Sequence, residues 1–102
     1  MKQLTTTQVL EKARHLVRTP RRWVQGMHSG VHGVTRCFCV FGAVYNVRKQ
    51  LSNDAPEWVL LKRASIELFG TTPVSFNDRH DTTHGDVLRL FDRAIALSKE
   101  TP

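Results

Sequence analysis

Cys37, Asn77, Asp78 and His84 are the residues of this chain best suited to chemistry, and their types would serve a thiol nucleophile. A cysteine at a helix N-terminus gains thiolate character from the unpaired N–H groups there, His84 or His80 would act as base, and Asn77 or Asp78 would orient it. The opposing reading of the same residues is structural. A buried cysteine is an ordinary small hydrophobe, Asn77-Asp78 accepts backbone N–H bonds in an Asx-type turn, and Asp81 and Asp86 favour the positive end of a following helix. Asn77, Asp78, His80, Asp81 and His84 cluster at the junction between an expected extended segment, Pro73 to Phe76, and an expected helix starting at Thr82 or Thr83. Such a junction both builds sites and caps helices.

Two histidine pairs, His28-x3-His32 and His80-x3-His84, have ligand-like spacing, with Cys37-x-Cys39 between them. Zinc needs four converging ligands. If residues 37–39 are helical, the two thiols point about 200° apart and cannot share an ion. No metal and no cofactor is expected. Gly26, Gly30 and Gly33 lack the following lysine and the strand–helix setting of a phosphate loop. Asp78 and Asp81 alone suggest a carboxylate pair, and they read more simply as turn and cap residues.

A second constellation is basic. Arg14, Arg18, Arg21 and Arg22 lie beside Trp23 and Gln25, so guanidinium groups could contact phosphates while the indole stacks on a base. The structural alternative is a solvated helix face with Trp23 turned into the core. The formal charge of +6 is unevenly spread. Residues 1–51 carry nine basic residues against the single acid Glu11, a net of +8, whereas residues 52–102 are at −2. A half so charged attracts phosphate backbones or acidic protein surfaces.

The elements that must position these groups are read from caps and periodicity. Thr5-Thr6-Thr7-Gln8 offers a capping box, and Val9, Leu10, Ala13, Leu16 and Val17 follow at helical spacing, predicting a helix over Thr6–Arg18. Thr19-Pro20 starts a short helical turn that carries Trp23 inward. Gln25 to Val34, with three glycines, reads as a loop or loose hairpin. Cys37, Val40, Phe41, Val44, Val47 and Leu51 predict a central helix over Arg36–Leu51, in which Gly42 implies close approach of another backbone. Asp54-Ala55-Pro56-Glu57 reads as a second capping box, with Trp58, Leu61, Ala64, Ser65 and Leu68 behind it and Gly70 as the stop. Pro73 to Phe76 reads as extended, pairing with the glycine-rich segment. The last helix puts Val87, Leu88, Phe91, Ala94, Ile95 and Ser98 on one side and leaves Leu90 and Leu97 off it, which would suit a homodimer face.

The expected fold is therefore mainly α, an α+β arrangement of about four helices with a two- or three-stranded β element. With 102 residues and 40% hydrophobic content, the expectation is one globular domain over 1–102. Cys37 and Cys39 are too close to bridge without strain, which suits a reducing cytosol. The N-terminus lacks a signal-length apolar run, and no stretch approaches the roughly 18 apolar residues of a membrane span. A cytoplasmic protein is expected.

Ala13-x-x-Leu16, Pro20-x-x-Trp23-x-Gln25-Gly26, Cys37-x4-Gly42-Ala43, Phe76-Asn77-Asp78 and Val87-Leu88-x-Leu90-Phe91-Asp92-Arg93-Ala94 together make a pattern spanning most of the chain. It resembles a small domain-of-unknown-function family found in bacteria and their phages. Members usually have Trp-Asn-Asp where this chain has Phe76-Asn77-Asp78, so the aromatic is kept and the indole donor lost. The resemblance implies a bacterial or phage source and marks Trp23, Gln25, Gly26, Cys37, Gly42, Asn77, Asp78 and His84 as pattern positions, with no activity attached. The expected function is a small accessory protein that binds nucleic acid or an acidic protein surface, such as a host defence component, and so acts as a binding protein or inhibitor. The alternative is a small enzyme or ligand-binding domain built on Gln25, Cys37, Asn77, Asp78 and His84.

Overall fold

The computed structural model describes residues 4–49 and 54–100. Helix α1 (Thr6–Leu16) leads through a 3-10 turn (Pro20–Arg22) into a hairpin of β1 (Ser29–His32) and β2 (Thr35–Phe38); α2 (Val40–Arg48), α3 (Pro56–Phe69), α4 (Pro73–Asp78) and α5 (His84–Glu100) follow. The protein is mainly α with a minor β element. Leu51, the expected end of the central helix, lies outside the described residues.

Local chemistry explains most helix ends. Thr5 accepts from the Gln8 N–H while the Gln8 side chain accepts from the Thr5 N–H, a complete capping box for α1. Thr83 and Asp86 exchange the same reciprocal pair at the start of α5, at 3.1 and 3.2 Å. Gly70 ends α3 in the left-handed region at φ 73°, its N–H on the Ile66 carbonyl. Pro20 opens the 3-10 turn as expected, although the Thr19 side chain makes no cap bond.

Four expectations are corrected. Pro73 to Phe76 is not extended: it begins α4, with Thr72 accepting from the Ser75 N–H and Pro73 in the first turn. Its fixed φ suits that position as well as it suits a strand edge, and six residues are too few to display a helical period. The central helix begins at Val40 rather than Arg36, because residues 35–38 pair with β1 in the register Ser29↔Phe38 to His32↔Thr35. Cys37 and Phe38 are both buried, on opposite faces of the ribbon, so the alternation that marks a strand is absent there. Asp54 does not cap α3; Ala55 holds that position without a side-chain bond, and Glu57 turns inward to Arg48. Leu90 and Leu97 are buried, so the exposed stripe expected for a homodimer does not exist. Helix α5 packs against both α1 and α3, and its buried arc is correspondingly wider than one stripe.

A single hydrophobic cluster joins these elements: Val9, Leu10 and Ala13 of α1, Val40, Ala43 and Val44 of α2, Trp58 and Leu61 of α3, Phe76 of α4, and Val87, Leu90, Phe91 and Ala94 of α5. Phe76 stacks on Phe69 at 4.0 Å between ring centroids. The hairpin lies beside this core. Gly33, at φ 66°, takes the first position of its two-residue loop, where a II′ turn requires glycine. The Trp23 segment runs alongside β2 through an isolated parallel bridge to Phe38. At Gly42 a Cβ would sit 1.8 Å from the His28 carbonyl oxygen, so the close backbone approach inferred from the sequence is real.

Candidate functional site

Asn77 is the node that ties the hairpin to the helical core. Its side chain is buried near the end of α4, and all four of its hydrogen-bonding positions are used. Oδ1 accepts from Trp23 Nε1 at 2.7 Å and from the Val40 N–H at 3.1 Å; Nδ2 donates to the Val24 carbonyl at 3.1 Å and to Asp78 Oδ1 at 2.9 Å. Asp78 Oδ1 also accepts from the Gly26 N–H at 2.9 Å. These acceptors reach across the fold; the local Asx-type turn expected at Asn77-Asp78 is replaced by long-range bonds. Gln25 donates to the carbonyls of Asn77 and Arg79 at 2.9 and 2.7 Å, closing the end of α4. Asp81, expected at the last helix's positive end, pairs with Arg79.

Gln25, Asn77 and Asp78, distant in sequence, therefore meet, and Trp23 joins them through its indole N–H. His84 lies near that indole. Its Nε2 donates to the Val17 carbonyl at 2.7 Å, satisfying the end of α1, and its ring centroid lies 6.3 Å from Trp23. Cys37 does not occupy a helix N-terminus. It sits in β2 and lines a cavity with Pro20, Trp23, Met27 and His32. The thiol beside Asn77 and Asp78 belongs to Cys39, which lines a separate cavity of about 290 Å³ with His28 and Gly26. Cys39 is the N-cap of α2, its Sγ accepting from the Gly42 N–H at 3.2 Å. The period-3.6 reading of Arg36–Leu51 hid this, because the helix starts one turn later than that stripe.

Burial pushes the Cys39 thiol above its ordinary value, and the Asp78 charge adds to this. Backbone hydrogen bonds from Gly42 and Phe41 pull the other way without cancelling it. A thiol held protonated and buried is a poor nucleophile. Asn77 has no free donor or acceptor, and His84 is bonded to a backbone carbonyl. Asn77, Asp78 and His84 thus serve the fold's own bonds. Among the described residues, no three His, Cys, Asp or Glu side chains are grouped to hold a metal ion.

The basic residues divide into two sets. Arg14 pairs with Asp92, Arg48 with Glu57, Arg79 with Asp81, Arg89 with Asp86 and Arg93 with Glu67. Arg63 lies within electrostatic reach of the same Glu67. Arg18, Arg21, Arg22 and Arg36 have no carboxylate partner among the described residues. Arg18 donates to the His15 carbonyl at 2.9 Å, and Arg21 donates to His32 Nδ1 at 3.0 Å, linking the 3-10 turn to the hairpin. Arg36, absent from the arginine cluster that the sequence singles out, lies on the ribbon face opposite Cys37, its guanidinium 5.0 Å from the centre of the Phe38 ring. Its strand register was the missing signal.

Fold and site define a class: a small helical domain with a pendant hairpin pinned by a fully bonded buried asparagine. The chain belongs to the Family of unknown function (DUF6197), whose model matches residues 1–97. No curated protein and no solved structure matches it.

Proposed function

We propose that this protein binds the phosphate backbone of a nucleic acid through Arg18, Arg21, Arg22 and Arg36, as a cytoplasmic accessory protein of a bacterium or phage. The observation that carries this reading is the division of the arginines. Those on the helical core pair with carboxylates or lie near one, whereas the four around the 3-10 turn and hairpin do not, and no acidic residue occurs between Glu11 and Asp54. A guanidinium keeps its charge at any physiological pH and matches phosphate oxygens in a two-pronged geometry. Trp23 and Gln25 tie the neighbouring turn to the core: the indole N–H bonds Asn77, and the amide donates to the carbonyls of Asn77 and Arg79. Binding rather than catalysis is favoured because His84 and Asn77 are committed to internal bonds and Cys37 lies in β2, away from the helix N-terminus that would activate it. Among the described residues no helix is long and apolar enough to cross a membrane.

The test is fluorescence anisotropy with labelled nucleic acid over a range of salt. Replacing Arg18, Arg21 and Arg22 by alanine should weaken binding and flatten the plot of log K against log salt by about 0.7 to 0.9 for each phosphate no longer neutralised. Wild-type binding insensitive to salt, or an unchanged slope in the variant, would reject the reading. Salt-sensitive binding of labelled polyglutamate with none of labelled nucleic acid would point to an acidic protein as the partner instead.

A further inference from the structure

A row of aromatic rings opens beside Arg36, on the hairpin face that also carries Phe38. The cleft, about 480 Å³, lies between His28 and Ser29 on one side and Phe41, Tyr45 and Asn46 on the other, with Arg36 at its rim. His28 and Phe41 have centroids 4.7 Å apart, and Phe41 and Tyr45 lie at 6.1 Å with planes only 20° from parallel. Trp58 braces Phe41 edge-on at 5.5 Å, so the middle ring is fixed from the core side. Tyr45 itself is 49% exposed. Gly42 makes the arrangement attainable, since any side chain there would collide with the His28 carbonyl and push His28 away from Phe41.

Aromatic rings presented beside an unpaired arginine are what an unstacked base and its phosphate require: the ring offers a π-face and the guanidinium the counter-charge. In a duplex both faces of each base are already covered by neighbours. We infer that this cleft accepts an unpaired base of a single-stranded nucleic acid, stacked on Tyr45, with Arg36 on the adjoining phosphate and Asn46 facing the base edge. The inference rests on the phosphate-binding reading and adds the strandedness of the partner to it.

The two are separable by experiment. Anisotropy would be measured with labelled oligothymidylate, an abasic strand of equal length, and the matching duplex. Wild type should bind oligothymidylate about tenfold more tightly than the abasic strand, as expected for one stacked base. Tyr45→Ala should remove that margin while leaving the salt slope intact, and Tyr45→Phe, which keeps the ring, should restore it. Tyr45 is exposed, so neither variant threatens the core. Equal affinity for thymidylate and abasic strands, or a margin untouched by Tyr45→Ala, overturns the base cleft while leaving phosphate binding standing if the salt dependence persists. Absence of salt-dependent binding to all three overturns both.

Discussion

Replacing Asn77 by alanine should be among the most damaging single changes in the chain outside the apolar core. The substitution removes four hydrogen bonds at once. The Val40 N–H is buried and is left with no acceptor, a loss worth about 1–3 kcal/mol. The Trp23 indole N–H and the Val24 carbonyl are part-buried and regain some water, so each loses about 0.5–1.5 kcal/mol. Asp78 keeps its bond from Gly26 and adds little. The total is about 2–6 kcal/mol, a large share of the roughly 5–15 kcal/mol by which a domain is stable. For about 100 residues this lowers Tm by about 10–30 °C. Thermal melts by circular dichroism and urea titrations would measure it. Trp23→Phe isolates one bond, because it removes the indole N–H and leaves Asn77 Oδ1 still accepting from Val40; it should cost about 1 kcal/mol from that bond. In the double variant the two losses should fall short of additivity by about 1 kcal/mol, since the shared bond is counted only once. An Asn77→Ala loss below about 1 kcal/mol, or strict additivity with Trp23→Phe, would refute the assignment of Asn77 as the node.

Two further substitutions probe the same framework. Gly42→Ala should lower stability by about 2 kcal/mol or more despite alanine's better helix propensity, because the new Cβ meets backbone rather than a flexible side chain; the His28 carbonyl it would strike also accepts the Cys39 N–H. A neutral or stabilising result in urea titration would contradict the close approach of β1 to α2. Arg48→Ala should be strongly pH-dependent. Burial pushes the Glu57 carboxyl up, but the Arg48 hydrogen bonds and charge, with a backbone hydrogen bond, outweigh it and hold the group below the usual glutamate value. In wild type the ionised pair therefore contributes stability above the unfolded value, and this is lost as pH falls through the lower folded one. Without Arg48, burial outweighs the remaining backbone hydrogen bond and reverses the sign. The variant's deficit, about 2–4 kcal/mol at neutral pH, should begin to narrow above about pH 4.3, as pH falls through the variant's raised Glu57 value, and go on narrowing below it as the wild type loses its own contribution. A deficit that stays constant from neutral to acid pH would show that Glu57 is not a buried carboxylate dependent on Arg48.

Much of the architecture is legible in the chain itself, and the legible parts share a cause. Helices α1, α3 and α5 declare themselves because Thr5 with Gln8, Gly70, and Thr83 with Asp86 act within one turn of the chain. Pattern failed where an element was too short or covered on two sides. Pro73 to Phe76, the first four residues of the short α4, passed for extended chain, and β2 passed for a helical turn because Cys37 and Phe38 are both buried. The site was half readable. Gln25, Asn77 and Asp78 stand out as polar residues near turns and do converge, but the neighbouring thiol is Cys39, a difference that depends on where α2 begins.

Sequence alone determined the mainly helical class, the helix ends set by caps and glycine, the need for a close contact at Gly42, and the concentration of positive charge in the first half, because each depends on neighbours in the chain or on composition. Tertiary structure alone decided which arginines meet a carboxylate, that Glu57 turns inward rather than capping its helix, that Asn77 spends all its hydrogen bonds on residues 23, 24, 40 and 78, and that His28, Phe41 and Tyr45 form one row. Those outcomes depend on packing between segments far apart in the chain, where one buried donor or charge selects its partner by geometry that no local pattern encodes.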